Sequence, residues 1–214
     1  MTLWVCSTLL ITHTRSAIIE DIEDAHAIGL ATLAYYYFDF RDVKKQDYHG
    51  FLSSLLSQLS TESDSYFSIL SQLYLDHGHG KRKPDIDALK ECMTDMLSLP
   101  GQTPTYIIVD AIDECPNSGM PSTREEVLGL IKELVDLKLP NVHLCVASRP
   151  EVDIRVVLEP VTSQKISLHD ENGQKEDIIK YIKSVIRSDW SMRRWTEEDK
   201  QLVIDTLSDG ADGM

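Results

Sequence analysis

The sequence predicts an α/β fold in which helices cover both faces of a parallel sheet. The first observation is an apolar run, Tyr106–Val109, that leads directly into the acidic segment Asp110–Glu114. Continuous apolar runs of this length are typical of strands buried on both faces. The second observation is that other strand-like runs alternate with amphipathic helical patterns along the 214 residues. Such alternation is typical of β-α-β units.

The first half of the chain is predicted to combine two strands with several helices. Leu3–Val5 and Thr32–Phe40 have the apolar and aromatic composition of strands. Around them, apolar residues recur at the spacing of amphipathic helices. Residues 77–84 contain glycines and two histidines, and a solvated loop is favoured there over a metal site. The helices are predicted at Ser16–His26, Tyr48–Leu59, Tyr66–Leu75 and Asp85–Leu97.

The second half continues this pattern with a helix between two strands. Thr123 and Glu126 have the spacing of a capping box, which predicts that a helix begins there. Two further strands are predicted at Val142–Ala147 and Lys165–Leu168. Because ligands of open α/β sheets bind beyond the carboxyl ends of the strands, Asp110–Glu114 and Ser148 lie where chemistry is expected.

Four stretches of the sequence carry a family resemblance: Ser16–Ile22, Ala34–Arg41, Tyr106–Glu114 and Leu144–Pro150. Tyr106–Glu114 resembles the Walker B segment of P-loop NTPases, in the extended acidic form typical of NACHT proteins. Together the stretches resemble the nephrocystin-like N-terminal modules of large fungal signalling proteins, over nearly the whole chain from Ser16 onward. The resemblance implies a three-layer, parallel-sheet core similar to P-loop NTPases, which works as a nucleotide-dependent switch and oligomerises when activated.

The resemblance also implies a division into two domains. An NTPase-like core is expected over residues 1–170, and an incomplete helical lid domain, a truncated appendage, over residues 171–214. Two amphipathic helices are predicted in the second domain, at Asn172–Arg187 and Thr196–Leu207. Trp190 and Trp195, which flank the link between these helices, are predicted to be core anchors rather than ligand platforms.

The phosphate-binding loop of the family is not found in this sequence. That loop, G-x-x-x-x-G-K-[ST], needs glycines so that backbone N–H groups face the phosphates, and a lysine that reaches the outer phosphates. The corresponding segment, residues 6–16, contains neither glycine nor lysine, and Arg15 is its only cation. We therefore expect this region to be degenerate and the binding of ATP or GTP to be impaired.

The resemblance assigns roles to residues at the strand ends. Asp110 is expected to hold Mg²⁺ through water, and Asp113 or Glu114 to position the attacking water. Arg149, with Ser148 beside it, is expected to contact the terminal phosphate. Mg²⁺ and ATP or GTP are thus the cofactors that the family implies. A purely structural role also fits these residues, since acids at a strand end can cap a helix or pair with Arg149.

Composition limits the partners. The formal net charge of −14 argues against a surface for nucleic acid or anionic membranes, because both need clustered Lys and Arg. The four cysteines share no C-x-x-C spacing, which is typical of reduced thiols in a cytosolic protein. No segment approaches the length of a transmembrane helix. We expect a cytoplasmic protein with protein partners or self-association, and neither nucleic acid nor membrane.

Three hypotheses about function remain open at this stage. The chain is a NACHT-type signalling NTPase module with impaired nucleotide binding, a non-catalytic interaction scaffold that keeps the core without nucleotide, or a gene fragment with no role of its own. Whether it is an enzyme is undecided, because the family hydrolyses nucleotide while this copy lacks the glycines and lysine of the loop.

Overall fold

A five-stranded sheet forms the centre of the first of two compact units, residues 1–166 and 167–214. The computed structural model describes residues 2–7, 22–167, 171–188 and 190–210. The strand order across the sheet is β2-β3-β4-β1-β5. The strands are β1 (Thr2–Ser7), β2 (Thr32–Tyr37), β3 (Thr105–Asp110), β4 (Val142–Ser148) and β5 (Gln164–Ser167).

Pairing in the central part of the sheet is parallel. β2 pairs with β3, β3 with β4, and β4 with β1, all in the same direction. The register places Tyr37 opposite Asp110, and Ser7 opposite Ser148. The predicted α/β fold with a parallel sheet is therefore confirmed, and the carboxyl ends of these four strands lie at one edge of the sheet.

The helices of the first unit begin at side-chain caps in most cases. Residues 22–27 are helical and are labelled α1. The helices that follow are α2 (Tyr48–Ser60), α3 (Asp64–Asp76), α4 (Ile86–Leu97), α5 (Thr123–Asp136) and α6 (Val152–Leu158). An Asp or Ser side chain accepts a backbone N–H in the first turn of four of them, which satisfies groups that a helix leaves unpaired. These N-caps are Asp47 for α2, Ser63 for α3, Asp85 for α4 and Ser122 for α5.

The apolar core lies between one face of the sheet and the helices packed on it. α2 contacts β2, α3, α4 and α5, and α5 also contacts α6. Alternate residues of the strands, which include Ala34, Ile107, Val109, Leu144 and Val146, are buried against this layer. Burial of apolar area from water on this face supplies most of the stabilisation of the unit.

The opposite face of the sheet is less completely buried. Tyr106 and His143 stack across β3 and β4, with ring centroids 4.8 Å apart and an interplanar angle of 20°. Partial burial lowers the pKa of the His143 imidazole, because desolvation disfavours its charged form. Tyr35 and Tyr37 of β2 are exposed on the same face.

The second unit has a small apolar core of its own. Its helices, α7 (Glu171–Ser188) and α8 (Glu197–Gly210), pack on each other. Ile182, Ile186 and Ile204 are the buried residues of this cluster. Trp190 and Trp195 are 72% and 42% exposed, so the prediction that they anchor a core is wrong: isoleucines of the helix stripes fill that position instead.

The structure defines one strand end and corrects one local prediction. β3 ends at Asp110, because Ala111 takes a left-handed backbone conformation. The capping box of α5 is formed by Ser122 and Glu125, one residue earlier than the predicted pair of Thr123 and Glu126.

Among the described residues, no helix combines the length and apolarity that crossing a membrane requires. The assignment of the two units to an NTPase core and a lid domain stays a prediction.

Candidate functional site at the carboxyl edge of the sheet

The carboxyl edge of the sheet contains a buried carboxylate. Asp110 is the last residue of β3 and is only 2% exposed. Its carbonyl oxygen accepts the N–H of Phe38, at 3.1 Å, which continues the pairing between β2 and β3. Burial of a carboxylate costs several kcal/mol, typically ~2–5, unless polar or charged groups offset it, so its retention here singles out this strand end.

A strained residue redirects the chain directly after Asp110. Ala111 has φ 55° and ψ 45°, a left-handed conformation that is uncommon for a residue with a Cβ. The next three residues, Ile112–Glu114, form a 3-10 turn. Ile112 is buried in the core and anchors this turn. Asp113 and Glu114 therefore lie on a turn. Residues with an uncommon backbone conformation such as that of Ala111 cluster at functional sites.

Asp113 joins the end of β3 to the end of β4. Its Oδ1 accepts the backbone N–H of Arg149 at 3.0 Å, and its Oδ2 pairs with the Arg149 Nε at 3.3 Å. The Asp113 side chain is 8% exposed, whereas the Arg149 side chain is 52% exposed. The carboxylate of this pair is thus buried, whereas the guanidinium is half exposed to solvent.

Glu114 makes a separate contact, to the segment that follows β2. Its Oε2 accepts the N–H of Phe40 at 3.2 Å. Nearby, Asp39 holds Arg41 by hydrogen bonds to the backbone and the guanidinium, and these bonds lower the pKa of the Asp39 carboxyl. The two acids of the turn therefore bind different neighbours: Asp113 binds Arg149, directly after β4, and Glu114 binds Phe40, after the end of β2.

The strand order gives this edge a switch point between β1 and β4. These strands are neighbours, but the chain continues from β1 to β2 on one side and from β4 to β5 on the other. Ligands of open α/β sheets bind outside the carboxyl ends of strands at such a point. Ser148 lies there, opposite Ser7, with its Oγ donating to the Arg149 carbonyl at 2.8 Å.

Arg124 is a residue of this site that the sequence analysis missed. It is 8% exposed and lies in the first turn of α5. Its Nη2 donates to the Asp113 carbonyl at 2.6 Å and its Nε to the Cys115 carbonyl at 3.2 Å. Its Nη1 pairs with Asp153 of α6 at 3.1 Å. One guanidinium thus holds the acidic turn and the helix after Arg149 together.

Arg124 is a cation in the first turn of a helix, which is an unusual position for an arginine. The positive end of the helix dipole disfavours a cation in the first turn, where Glu125 and Glu126 of α5 are the expected residue type. An arginine there needs acceptors outside its own helix, and the carbonyls of the acidic turn supply them. This was the available signal in the sequence.

Cys115 is excluded as a nucleophile at this edge. It is buried, and burial raises the pKa of its thiol to about 12, so the thiol is neutral at physiological pH. Within the described residues, no group of three or more His, Cys, Asp or Glu side chains is arranged to hold a metal ion. A metal at Asp110 would need most of its ligands from water or a phosphate, which is the usual manner of Mg²⁺ binding.

Comparison with known families identifies the chain. The family described as Nephrocystin 3, N-terminal matches residues 8–149, from the residue after β1 to Arg149. The chain belongs to this family. Comparison with curated protein sequences gives no match.

Solved structures similar to this Nephrocystin 3, N-terminal chain have low sequence identity to it and TM-scores below 0.5. The structure of Drosophila ORC bound to AT-rich DNA and Cdc6 has TM-score 0.47 and 11% identity, and covers 97% of this chain and 74% of that chain. The structure of the Aeropyrum pernix ORC2 protein, in ADPNP-ADP complexes, has TM-score 0.46 and 13% identity over 87% of this chain and 45% of that chain. The structure of Drosophila ORC bound to DNA has TM-score 0.41 and 11% identity, and covers 78% of this chain and 79% of that chain.

The prediction that nucleic acid is excluded as a partner is wrong. The Drosophila structures of similar fold are, by their titles, complexes with DNA. The exclusion relied on the net charge of −14, but a whole-chain charge does not report the local surface that contacts a phosphate backbone. DNA binding is a property stated for those proteins.

The structure brings all five predicted site residues of this Nephrocystin 3, N-terminal chain to one edge of the sheet. Asp110, Asp113 and Glu114 lie at the end of β3, and Ser148 and Arg149 at the end of the neighbouring β4. Their predicted roles toward metal and nucleotide stay predictions. The degenerate segment, residues 6–16, lies outside the described residues except for Cys6 and Ser7.

Proposed function

We propose that the chain is a NACHT-type switch module that has kept the acidic edge of a nucleotide site and binds ATP or GTP poorly. The observation that carries this proposal is the contact of Asp113 with Arg149, because it fixes an acid and a cation from neighbouring strands beside a topological switch point. A cytoplasmic location and signalling through protein partners belong to the same proposal.

Each residue of the edge has a role in this proposal. A Mg²⁺–nucleotide complex, when bound, would supply a hydrolysable phosphate and the metal that neutralises its charge. Asp110 would hold the metal, since its buried carboxylate is the oxygen ligand at the strand end. Asp113 or Glu114 would orient water, and the exposed end of Arg149, with Ser148 beside it, would meet a phosphate.

The fit to nucleotide is incomplete on the phosphate side. Residues 6–16 contain no glycine and no lysine, so the sequence lacks both the open backbone and the cation that hold phosphates in the family. Each charge-assisted contact is worth about 1.5–3 kcal/mol, and about 1.4 kcal/mol corresponds to tenfold in affinity. The loss of several contacts therefore lowers affinity by orders of magnitude.

The contacts of the turn acids support a second candidate, a non-catalytic interaction scaffold. Asp113 is engaged by Arg149, Glu114 by the N–H of Phe40, and the carbonyl of Asp113 by Arg124. These bonds give the acids a structural use that needs no nucleotide. In this candidate the edge stabilises the sheet and its loops, and the surface of the core binds other proteins.

Calorimetric titration of the whole chain with Mg-ATP and Mg-GTP tests the proposal. The expected result is binding no tighter than about millimolar, which is on the order of −4 kcal/mol. This weak binding should require Mg²⁺ and should be lost in Asp110→Asn, because the metal then loses its carboxylate.

The outcomes separate the two candidates. A micromolar Kd for either nucleotide would contradict impaired binding. Complete absence of Mg²⁺-dependent binding up to the solubility limit, with Asp110→Asn indistinguishable from wild type, would favour the scaffold. The Asp110→Asn protein must retain its circular dichroism spectrum for this comparison, since Asp110 is buried.

A further inference from the structure

The outer edge of β2 is paired with a side chain instead of a strand. β2 is the last strand on its side of the sheet in the part of the chain that the structure describes. The N–H groups of Thr32 and Phe38 point toward β3, where they bond to Pro104 and Asp110 carbonyls. Because direction alternates along a strand, the backbone groups of Leu33, Tyr35 and Tyr37 point to the outer edge.

The side-chain amide of Gln58 reproduces the two hydrogen bonds of a neighbouring strand. Gln58 lies on α2; its Oε1 accepts the N–H of Tyr35 at 3.0 Å, and its Nε2 donates to the Tyr35 carbonyl at 2.9 Å. Ser54, one turn earlier, holds the same Nε2 through its carbonyl at 3.3 Å and its Oγ at 3.2 Å. The amide is thus fixed against the strand edge at both of its polar atoms.

A cavity of about 440 Å³ lies beside this edge, between β2 and α2. Its lining includes Leu33, Tyr35 and Tyr37 on one side and Ser54, Gln58 and Thr61 on the other. The Tyr35 side chain is 50% exposed. Open strand edges with this access pair readily with other chains, and proteins commonly block them.

We infer that the β2 edge is a latent self-association surface for a second copy of this chain, and that Gln58 keeps it closed. The edge is self-complementary. In an antiparallel pair centred on Tyr35, each Tyr35 exchanges both backbone hydrogen bonds with its counterpart in the other copy. Such a two-fold arrangement uses the same surface on both copies, so the pair closes as a dimer. This inference is independent of the proposed nucleotide function.

Substitution of Gln58 tests the inference. Gln58→Ala keeps helix propensity but uncovers both polar groups of Tyr35. Sedimentation velocity of the whole chain over a range of concentrations should show a dimer dissociation constant about tenfold lower than that of wild type, or lower still, the effect of uncovering two hydrogen-bonding groups. Gln72→Ala is the matched control, because exposed Gln72 lies on α3 and donates to Asp76 of the same helix at 2.8 Å. It should sediment like wild type.

Charge substitutions at Tyr35 identify the interface. In the proposed dimer the two Tyr35 side chains are directly opposite each other, where like charges repel. Gln58→Ala/Tyr35→Lys and Gln58→Ala/Tyr35→Glu should therefore each be monomeric at the concentrations where Gln58→Ala is dimeric. A mixture of the two double variants should dimerise again.

Three results would overturn the inference. One is a Gln58→Ala protein that sediments like wild type. Another is association of Gln58→Ala that persists in both double variants, since the contact would then lie elsewhere. The third is a mixture of the double variants that stays monomeric although each folds, as judged by circular dichroism.

Discussion

Val109 and Asp110 are consecutive residues of β3 and both are buried, yet they belong to regions that are stabilised differently. Val109 lies on the apolar face of the sheet, where any well-packed hydrophobic side chain contributes by leaving water. Asp110 begins the carboxyl edge, where stability depends on particular donors meeting particular acceptors. On the apolar face, different hydrophobic side chains can therefore serve, whereas the edge requires a defined backbone geometry.

The largest effect is expected on the apolar face. Phe51 of α2 is 1% exposed and packs against Phe38 and Tyr36, at ring-centroid distances of 5.6 Å and 5.1 Å. Phe51→Ala should lower the free energy of unfolding by about 4 kcal/mol, because it leaves a cavity in the core. Chemical denaturation followed by circular dichroism measures this change. Phe67→Ala, at a residue that is 62% exposed, is the control and should change stability little.

The next effect is expected at Arg124, and it tests whether the edge depends on specific donors. Arg124→Ala removes the donors for the Asp113 and Cys115 carbonyls and the partner of Asp153. The loss should be about 3 kcal/mol, because buried carbonyls are left unsatisfied. Arg82→Ala is the comparison, since exposed Arg82 donates to one carbonyl, that of Asp76. Equal losses for the two variants would contradict the proposed role.

A smaller effect is expected for Asp113→Asn. Asparagine keeps an acceptor for the Arg149 N–H but loses the charge that pairs with the guanidinium. Because Arg149 is half exposed, solvent screening limits the loss to about 1 kcal/mol. Glu159→Gln, which breaks the exposed pair with Arg155, should give no measurable change in the same denaturation assay. A loss above that of Arg124→Ala would show that screening is weaker than assumed.

The smallest effect is expected at Ala111 and has the opposite sign. The left-handed conformation costs an alanine ~1–2 kcal/mol, while glycine adds only about 0.4–1 kcal/mol of unfolded-state entropy. Ala111→Gly should therefore stabilise the chain by about 0.5 kcal/mol. Gly129→Ala, in the middle of α5 with open space at its Cβ, should also stabilise it. Destabilisation by Ala111→Gly would mean that the alanine methyl packs favourably.

The sequence predicts the apolar face well because hydrophobic periodicity is a local signal. The buried residues of α2, which include Phe51, Leu52, Leu55, Leu56 and Leu59, are those that helical spacing selects. The grouping of Asp110 and Arg149 follows from the rule that parallel strands end at one edge. These features need only composition, spacing and the direction of the strands.

The details of the edge could not be derived in the same way. Ser122 and Thr123 each precede a glutamate by three residues, so two capping boxes fit the sequence equally, and the structure forms the one at Ser122. The left-handed turn at Ala111 has no glycine to signal it. The network of Arg124 depends on carbonyl positions, which side-chain identities do not encode.

Restoration of the missing loop tests the central claim most directly. Leu9→Gly/Thr14→Gly/Arg15→Lys creates the G-x-x-x-x-G-K-S pattern, which ends at Ser16. If the acidic edge is that of a nucleotide site, calorimetry should show Mg-ATP binding at least about tenfold tighter than in wild type. The gain should disappear when Asp110→Asn is added. No gain in a folded variant, or a gain that is indifferent to Asp110→Asn, would contradict the account.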